Sequence, residues 1–125
     1  CDGIIIGPLM NYKRKLECSK KQGVKLPKLL HDAGIEFAIC TDFPEMIPVC
    51  MMPQIALSVT EGLPEDTALK AVTITAARIL GISDRVGSLE VGKDADIAVF
   101  SGHPLDYRSV CLMTLINGKI VYERK

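Results

Sequence analysis

The sequence predicts an α/β chain in two parts, a βα part covering residues 1–82 and a small β part covering residues 83–125. Two short apolar runs without polar alternation, in residues 3–9 and 35–41, are typical of strands buried on both faces of a parallel sheet. A helical segment lies between them, which completes a βαβ unit. After residue 83, glycines separate short apolar pieces, as is typical of antiparallel strands and turns.

Proline and glycine set the limits of the first three elements. Pro8 ends the isoleucine-rich first strand, because proline cannot donate to a strand ladder. The next helix is predicted over residues 26–33, with Pro27 suited to its first turn and Gly34 to its C-terminal stop. The second strand ends immediately before Asp42.

Three further helices are predicted in the rest of the first part. Residues 54–60 form a short apolar helix, and the two acids that follow Pro64 favour the start of a second. The β-branched run at residues 73–75 interrupts this second helix. Thr75 is able to cap the third helix, which stops at Gly81.

The second part is predicted to be antiparallel β structure. Its short strands are predicted at residues 88–90, 95–100, 110–116 and 120–122. Asn117 and Gly118 lie between two apolar strands, and this dipeptide is typical of a two-residue type I′ hairpin.

The composition argues against a disordered protein and against two classes of binding protein. The chain has 125 residues, 48% of them hydrophobic, and a mean hydropathy of +0.24, which argues against disorder for most of the chain. Its 15 basic and 15 acidic side chains cancel, whereas nucleic-acid and anionic-membrane binders normally carry a basic excess. The longest apolar runs are far shorter than the roughly 20 residues that cross a bilayer. We therefore expect neither a nucleic acid nor a membrane as partner.

The five cysteines predict neither a zinc finger nor a disulfide framework. Their number is odd, no CxxC motif occurs, and they stand at Cys1, Cys18, Cys40, Cys50 and Cys111. Reduced cysteines, most of them in the core, are expected in a cytoplasmic protein. Because the chain starts at Cys1 without a methionine, we expect it to be part of something longer.

Asp42 is the main candidate for chemistry. It stands at the carboxyl end of a predicted parallel strand, which is where α/β folds place their active sites. A carboxylate there can ligate a metal, orient a water molecule or accept its proton. The alternative is that Asp42 only caps a turn before Pro44. Its position in the sequence leaves both interpretations open.

The other candidates are weaker. His31 and His103 show neither HxH nor HExxH spacing and are interpreted as a helix-surface residue and a turn residue. Lys13 and Arg14 follow the first strand and could bind an anionic group of a substrate on the face that holds Asp42. A solvated basic loop is the favoured interpretation of these two residues.

Three stretches of the sequence resemble the C-terminal end of the amidohydrolase superfamily. They are residues 71–82, residues 84–100 with the block Gly-Ser-Leu-Glu-Val-Gly-Lys-Asp-Ala-Asp, and residues 116–122. The block is the most specific of them. The short motif Thr41-Asp-Phe-Pro fits the imidazolonepropionase-like and Xaa-Pro-dipeptidase-like branch of the superfamily.

This resemblance implies the C-terminal portion of a TIM-type (β/α)8 barrel followed by part of a small β-sandwich. Residues 1–82 would be its last two strands and their helices, and residues 83–125 would be the C-terminal strands of the small composite β domain. Asp42 matches the eighth-strand aspartate, which in the family ligates the metal and takes the proton from the attacking water. The implied cofactor is a divalent metal, with zinc expected, and the implied substrate is a small amide.

The sequence also departs from the family pattern. The first-strand HxH, the middle-strand Lys or Glu ligand and the histidines of the fifth and sixth strands are not in these 125 residues, and Phe43 stands where branch members often carry histidine. We therefore expect the chain alone to hold no metal and to be inactive. We also expect it to associate as a homo-oligomer or with a missing N-terminal part.

Two alternatives stand beside this hypothesis. The chain could be a non-catalytic, self-associating assembly module, because the strands of an incomplete barrel leave edges that need partners. A small cysteine-dependent enzyme is disfavoured, since no spacing suggests a Cys–His pair.

Overall fold

The computed structural model describes residues 3–10 and 23–125, which form two separate sheets and the helices around the first of them. The first sheet has two strands, and the second has three. Residues 11–22, with Lys13 and Arg14, and residues 1–2 lie outside the described part.

The first sheet is the predicted parallel pair. Strand β1 (Ile4–Ile6) pairs with β2 (Phe37–Ile39) in a parallel register that places Ile5 opposite Ala38. Helix α1 (Leu26–Asp32) connects them, preceded by a 3₁₀ turn at Gly23–Lys25. The βαβ prediction is thus confirmed, although β2 is shorter than the apolar run that predicted it.

Three helices follow β2. A 3₁₀ turn at Pro48–Cys50 leads into α2 (Met51–Thr60), and α3 (Glu65–Lys70) and α4 (Ile74–Ile79) come next. The predicted interruption between α3 and α4 is confirmed. The predicted cap is wrong, because Thr75 lies inside α4 and the residue at the N-cap position is Thr73, whose hydroxyl instead donates to the carbonyl of Leu69 at 2.8 Å.

The hydrophobic core lies between β2 and the helices α2 and α3. All three residues of β2 are buried, as expected of a strand covered on both faces. A main-chain hydrogen bond of 3.1 Å from Ile39 to the Ala71 carbonyl joins β2 to the segment between α3 and α4. The buried cluster comprises Leu9, Phe37, Ile39, Ile55, Leu63, Ala68 and Ala71.

The second sheet is antiparallel, with the order β3–β4–β5. Its strands are β3 (Ile97–Phe100), β4 (Cys111–Ile116) and β5 (Lys119–Glu123). The β4–β5 turn is the predicted hairpin, since Asn117 and Gly118 both have positive φ, 49° and 73°, as a type I′ turn requires.

The strand predicted at residues 88–90 does not form, so that prediction is wrong. The side chains of this segment bond to one another instead: Ser88 Oγ lies 2.5 Å from Glu90 Oε1, and Lys93 Nζ lies 2.6 Å from Ser88 Oγ. Gly87 and Gly92 flank the segment, both with φ of 95°. The chain therefore turns back on itself here and offers no extended edge for pairing.

The two parts touch through the turn between β3 and β4. Leu105 packs against the core cluster, and His103 Nε2 lies 3.0 Å from Glu65 Oε1 at the start of α3. The domain boundary at residues 82 and 83 stays a prediction. Within residues 3–10 and 23–125, no helix has the length and apolar character needed to span a membrane.

Candidate functional site

The candidate site lies at the carboxyl edge of the parallel strand pair, where Asp42 follows β2. Thr41 at the end of the strand is buried, whereas Asp42 is exposed. Asp42 has a φ of 52°, in the left-handed region that Asp tolerates better than most residues. Its carbonyl accepts a 2.8 Å hydrogen bond from the Glu45 N–H, so the backbone reverses direction immediately after the strand.

No side chain of the described residues occupies the carboxylate of Asp42. Across the described ranges 3–10 and 23–125, its oxygens make no hydrogen bond or ion pair. An exposed carboxylate at the end of a buried strand can ligate a cation or accept a proton from a water molecule. The chemistry of a hard oxygen donor therefore fits a divalent metal, as one ligand among several.

The part of the chain that the structure describes contains no cluster of three or more His, Cys, Asp or Glu side chains able to hold a metal ion. Three protein ligands are usual for a catalytic zinc ion. Asp42 could therefore serve as one ligand only, and a complete metal site would need further ligands from outside the described residues.

The two histidines lie elsewhere, as the sequence predicted. His31 is exposed in the last turn of α1 and lines a cleft at the amino end of β2, the opposite edge from Asp42. The Nδ1 atom of His103 accepts a 3.3 Å hydrogen bond from the Leu105 N–H, and its Nε2 faces Glu65. The structure brings neither histidine to Asp42.

The cleft at the amino end of β2 has a volume of about 380 Å³ and a charged lining. Its cations are already compensated, because Arg78 pairs with Glu36 and Lys70 with Asp66. These pairs leave little net charge to attract an ionic ligand. The carboxyl edge with its free carboxylate is thus the better candidate.

Sequence reasoning missed Gln54, which is completely buried in the first turns of α2. Its Oε1 accepts a hydrogen bond from the Leu9 N–H, and its Nε2 donates to the Cys40 carbonyl, both at 3.0 Å. We call these two hydrogen bonds the Gln54 bridge. The available signal was a single amide side chain on the buried face of an otherwise apolar helix, since buried polar groups need partners.

Among the described residues, the largest pKa shift lies in the turn between β3 and β4. Hydrogen bonds from the Arg108 side chain and main chain lower the pKa of Asp106 to about 2. The guanidinium Nη2 and the carboxylate Oδ2 are 2.7 Å apart. The pair closes an exposed turn and is not associated with Asp42.

Comparison with known proteins identifies the family. Residues 8–121 match the model of the amidohydrolase family. An imidazolonepropionase of Shewanella baltica is 35% identical over 105 residues, covering 76% of this chain and 26% of that protein. The chain therefore belongs to the amidohydrolase family, and the resemblance found in the sequence is confirmed.

Solved structures agree with this assignment. The amidohydrolase from Thermotoga maritima superposes with a TM-score of 0.89 at 38% identity, covering 98% of this chain and 32% of that one. A Xaa-Pro dipeptidase with methionine bound in its active site superposes with a TM-score of 0.71 at 25% identity, covering 82% of this chain and 26% of that one. The predicted mixed α/β fold class is thus confirmed. The superfamily to which these relatives belong is one of TIM barrels. The chain spans about a quarter to a third of the length of these relatives.

Proposed function

We infer that this chain is the C-terminal part of a metal-dependent hydrolase that cleaves a C–N bond in an amide, a cyclic amide or a dipeptide-like substrate. Membership of the amidohydrolase family supports the reaction class. An imidazolonepropionase and a Xaa-Pro dipeptidase among the similar proteins support the choice of substrates. The observation that carries the proposal is the exposed Asp42 carboxylate at the carboxyl edge of the parallel strands, which has no partner among residues 3–10 and 23–125.

In this proposal β1 and β2 are the seventh and eighth strands of the barrel, and the β3–β5 sheet belongs to the small β domain. The helices α1 and α2 follow these strands in the order that βα units require. The exposed face of β1, with Ile5 at 52% exposure, would be covered by strands and helices from outside the 125 residues.

Asp42 acts in two ways in the proposed reaction. Its carboxylate contributes one oxygen ligand to a divalent metal, with zinc expected. When bound, such a metal lowers the pKa of water and polarises the scissile carbonyl. The Asp42 carboxylate accepts the proton of the attacking water and then delivers it to the leaving nitrogen, which could not depart as an anion. The left-handed turn at Asp42 exposes the carboxylate for both roles.

The substrate contacts on this chain are proposed at Lys13 and Arg14, which follow β1 in the sequence. They lie outside the described residues, so the proposal depends on their place in the sequence. Their positive charges suit a carboxylate group on the substrate. The remaining metal ligands would come from the part of the barrel that precedes residue 1, so the 125 residues alone would be inactive and would associate with that part or with another copy.

The test uses the complete protein that carries this chain, together with its Asp42→Asn variant. We expect bound metal to fall in the variant. Hydrolysis of cyclic amides and Xaa-Pro dipeptides should decrease by about 10²- to 10⁴-fold, the usual contribution of a general base. Metal content is measured by mass spectrometry and hydrolysis by product formation. Asp84→Asn is the control, because Asp84 is also exposed but lies in the turn after α4.

Full metal content and activity in Asp42→Asn would reject the role of Asp42. A complete protein that binds no metal, hydrolyses none of these amides and forms stable oligomers would favour the assembly module instead.

A further inference from the structure

The Gln54 bridge occupies the point where the parallel ladder between β1 and β2 has to end. In a parallel pair the hydrogen bonds alternate between the strands at regular intervals. The Ile4 N–H donates to the Glu36 carbonyl at 3.1 Å, and the Cys40 N–H donates to the Ile6 carbonyl at 2.9 Å. Continued along this register, the next donor is the N–H of residue 8, and its acceptor is the Cys40 carbonyl.

Residue 8 is proline and has no N–H. The Cys40 carbonyl therefore lacks its ladder partner, and the Nε2 of Gln54 donates to it instead, at 3.0 Å. The same amide accepts the N–H of Leu9, the first residue after Pro8 that can donate, also at 3.0 Å. A side chain from α2 thus replaces the missing ladder bond and holds both strand exits.

The orientation of the Gln54 amide is fixed by its partners. A backbone N–H can only donate and a backbone carbonyl can only accept, so Oε1 has to face Leu9 and Nε2 has to face Cys40. The side chain is 0% exposed, and water cannot replace either bond. The two bonds therefore form one rigid connection between β1, β2 and α2.

The bridge ends two residues before Asp42, whose own carbonyl is fixed on the other side by the turn to Glu45. Gly7 and Cys40 are in very close contact at the same level, because a Cβ placed on Gly7 would lie 2.0 Å from the Cys40 oxygen. The position of the Asp42 carboxylate relative to β1 is thus set by Gly7, Cys40 and Gln54 together.

We propose that Gln54 is a positioning residue for Asp42: it replaces the ladder bond that Pro8 cannot make and thereby fixes where the carboxylate meets the metal and the substrate. This inference rests on the proposed function. Residues that orient metal ligands indirectly change metal affinity or activity by about 10- to 100-fold when mutated. Gln54 acts through two backbone residues, so we expect an effect of about tenfold, near the lower end of that range.

The test compares Gln54→Met with Ser58→Ala in the complete protein. Methionine keeps the length of the side chain and removes both bonds. Ser58 is equally buried on α2, and its hydroxyl donates to the Gln54 main-chain carbonyl at 3.0 Å, with no hydrogen bond to a strand end among the described residues. The measurements are the metal dissociation constant by chelator competition, kcat, KM and the melting temperature.

We expect Gln54→Met to raise the metal dissociation constant and to lower kcat, each about tenfold, with KM within about twofold of the unmodified protein. Ser58→Ala should lower the melting temperature without changing either constant. Equal changes in metal affinity and kcat for the two variants would overturn the inference, because Gln54 would then contribute only stability. If Gln54→Met does not fold, Gln54→Asn replaces it, since the shorter amide can reach one backbone partner but not both.

Asp42→Asn, measured in parallel, separates the two proposals. If Asp42→Asn abolishes metal binding while Gln54→Met behaves like Ser58→Ala, only the positioning role is wrong. If Asp42→Asn keeps metal and activity, the proposed function is wrong, and the positioning role is wrong with it.

Discussion

Gly7→Ala is predicted to separate the carboxyl ends of β1 and β2. An alanine Cβ at this position would lie 2.0 Å from the Cys40 carbonyl oxygen and 2.9 Å from the carbonyl carbon. Real Cβ contacts are not shorter than 3.0 Å, so the two strands would have to move apart by about 1 Å. That movement stretches the 2.9 Å bond from Cys40 to Ile6 and the 3.0 Å bond from Gln54 to Cys40.

The size of the effect follows from two separate costs. Gly7 has a φ of 143°, a region in which a residue with a side chain is strained by about 1–3 kcal/mol. The two hydrogen bonds are stretched and not removed, so each adds about 1–1.5 kcal/mol, at the lower end of the cost of an unsatisfied buried group. We expect a total loss of about 3–6 kcal/mol in the free energy of unfolding.

Gly34→Ala is the matched control for backbone strain without a clash. Gly34 also has a positive φ, 68°, but a Cβ there would meet nothing within 4 Å. Gly34→Ala should therefore lower the free energy of unfolding only through backbone strain, by about 1–2 kcal/mol. The difference between the two variants isolates the close approach of Gly7 to Cys40.

The assay is urea unfolding followed by circular dichroism. At a slope of about 2 kcal/mol per molar urea, a difference of about 2–4 kcal/mol separates the two midpoints by about 1–2 M. Equal midpoints for Gly7→Ala and Gly34→Ala would refute the reasoning, because the strand ends would then have room for a side chain.

Two further variants test the core and the turn between β3 and β4. Ile55→Ala should lower the free energy of unfolding by about 2–5 kcal/mol, because Ile55 is fully buried. Leu57 is 44% exposed on the same helix, so Leu57→Ala should lower it by less than about 1 kcal/mol. Similar losses for the two variants would contradict the burial of Ile55 in the core. Arg108→Ala should raise the pKa of Asp106 from about 2 toward its ordinary value of 3.8, which an NMR titration of the carboxyl carbon measures. Because the native pKa is lowered, the stabilisation from Asp106 is present above about pH 4 and is lost as the pH falls toward 2, and the variant should lack this dependence. An unchanged titration in Arg108→Ala would contradict the assigned cause.

The sequence predicted those elements that are determined by their own residues and not by distant contacts. The isoleucine run of β1 and the apolar run of β2 are recognisable because a strand buried on both faces needs no polar alternation. The β4–β5 hairpin is recognisable because Asn117 and Gly118 are residues that tolerate positive φ. Asp42 was a candidate for the same reason, since its place at a strand end can be read without knowing any contact.

Features that depend on distant contacts could not be predicted. The segment at residues 88–90 has the composition of a strand, but its side-chain bonds to Lys93 close a turn. The role of Gln54 depends on Leu9, 45 residues away, and on an N–H that Pro8 lacks. Spacing shows neither the burial of Gln54 nor the free carbonyl that it satisfies. The described residues hold no cluster of candidate ligands that would complete a metal site, so the sequence of this chain could not show one.

The Gln54 bridge also determines which part of the chain beside Asp42 can change in length and sequence. It joins Cys40 to Gln54, and the chain between them runs through Asp42, a loop over residues 43–47, the 3₁₀ turn at Pro48–Cys50 and the first residues of α2. Most of its side chains between Phe43 and Val49 are exposed and take no part in the closure. Lengthening a loop whose ends are already fixed costs little entropy. The loop beside Asp42 can therefore be exchanged for loops of other lengths and shapes while the strand end beneath it stays in place.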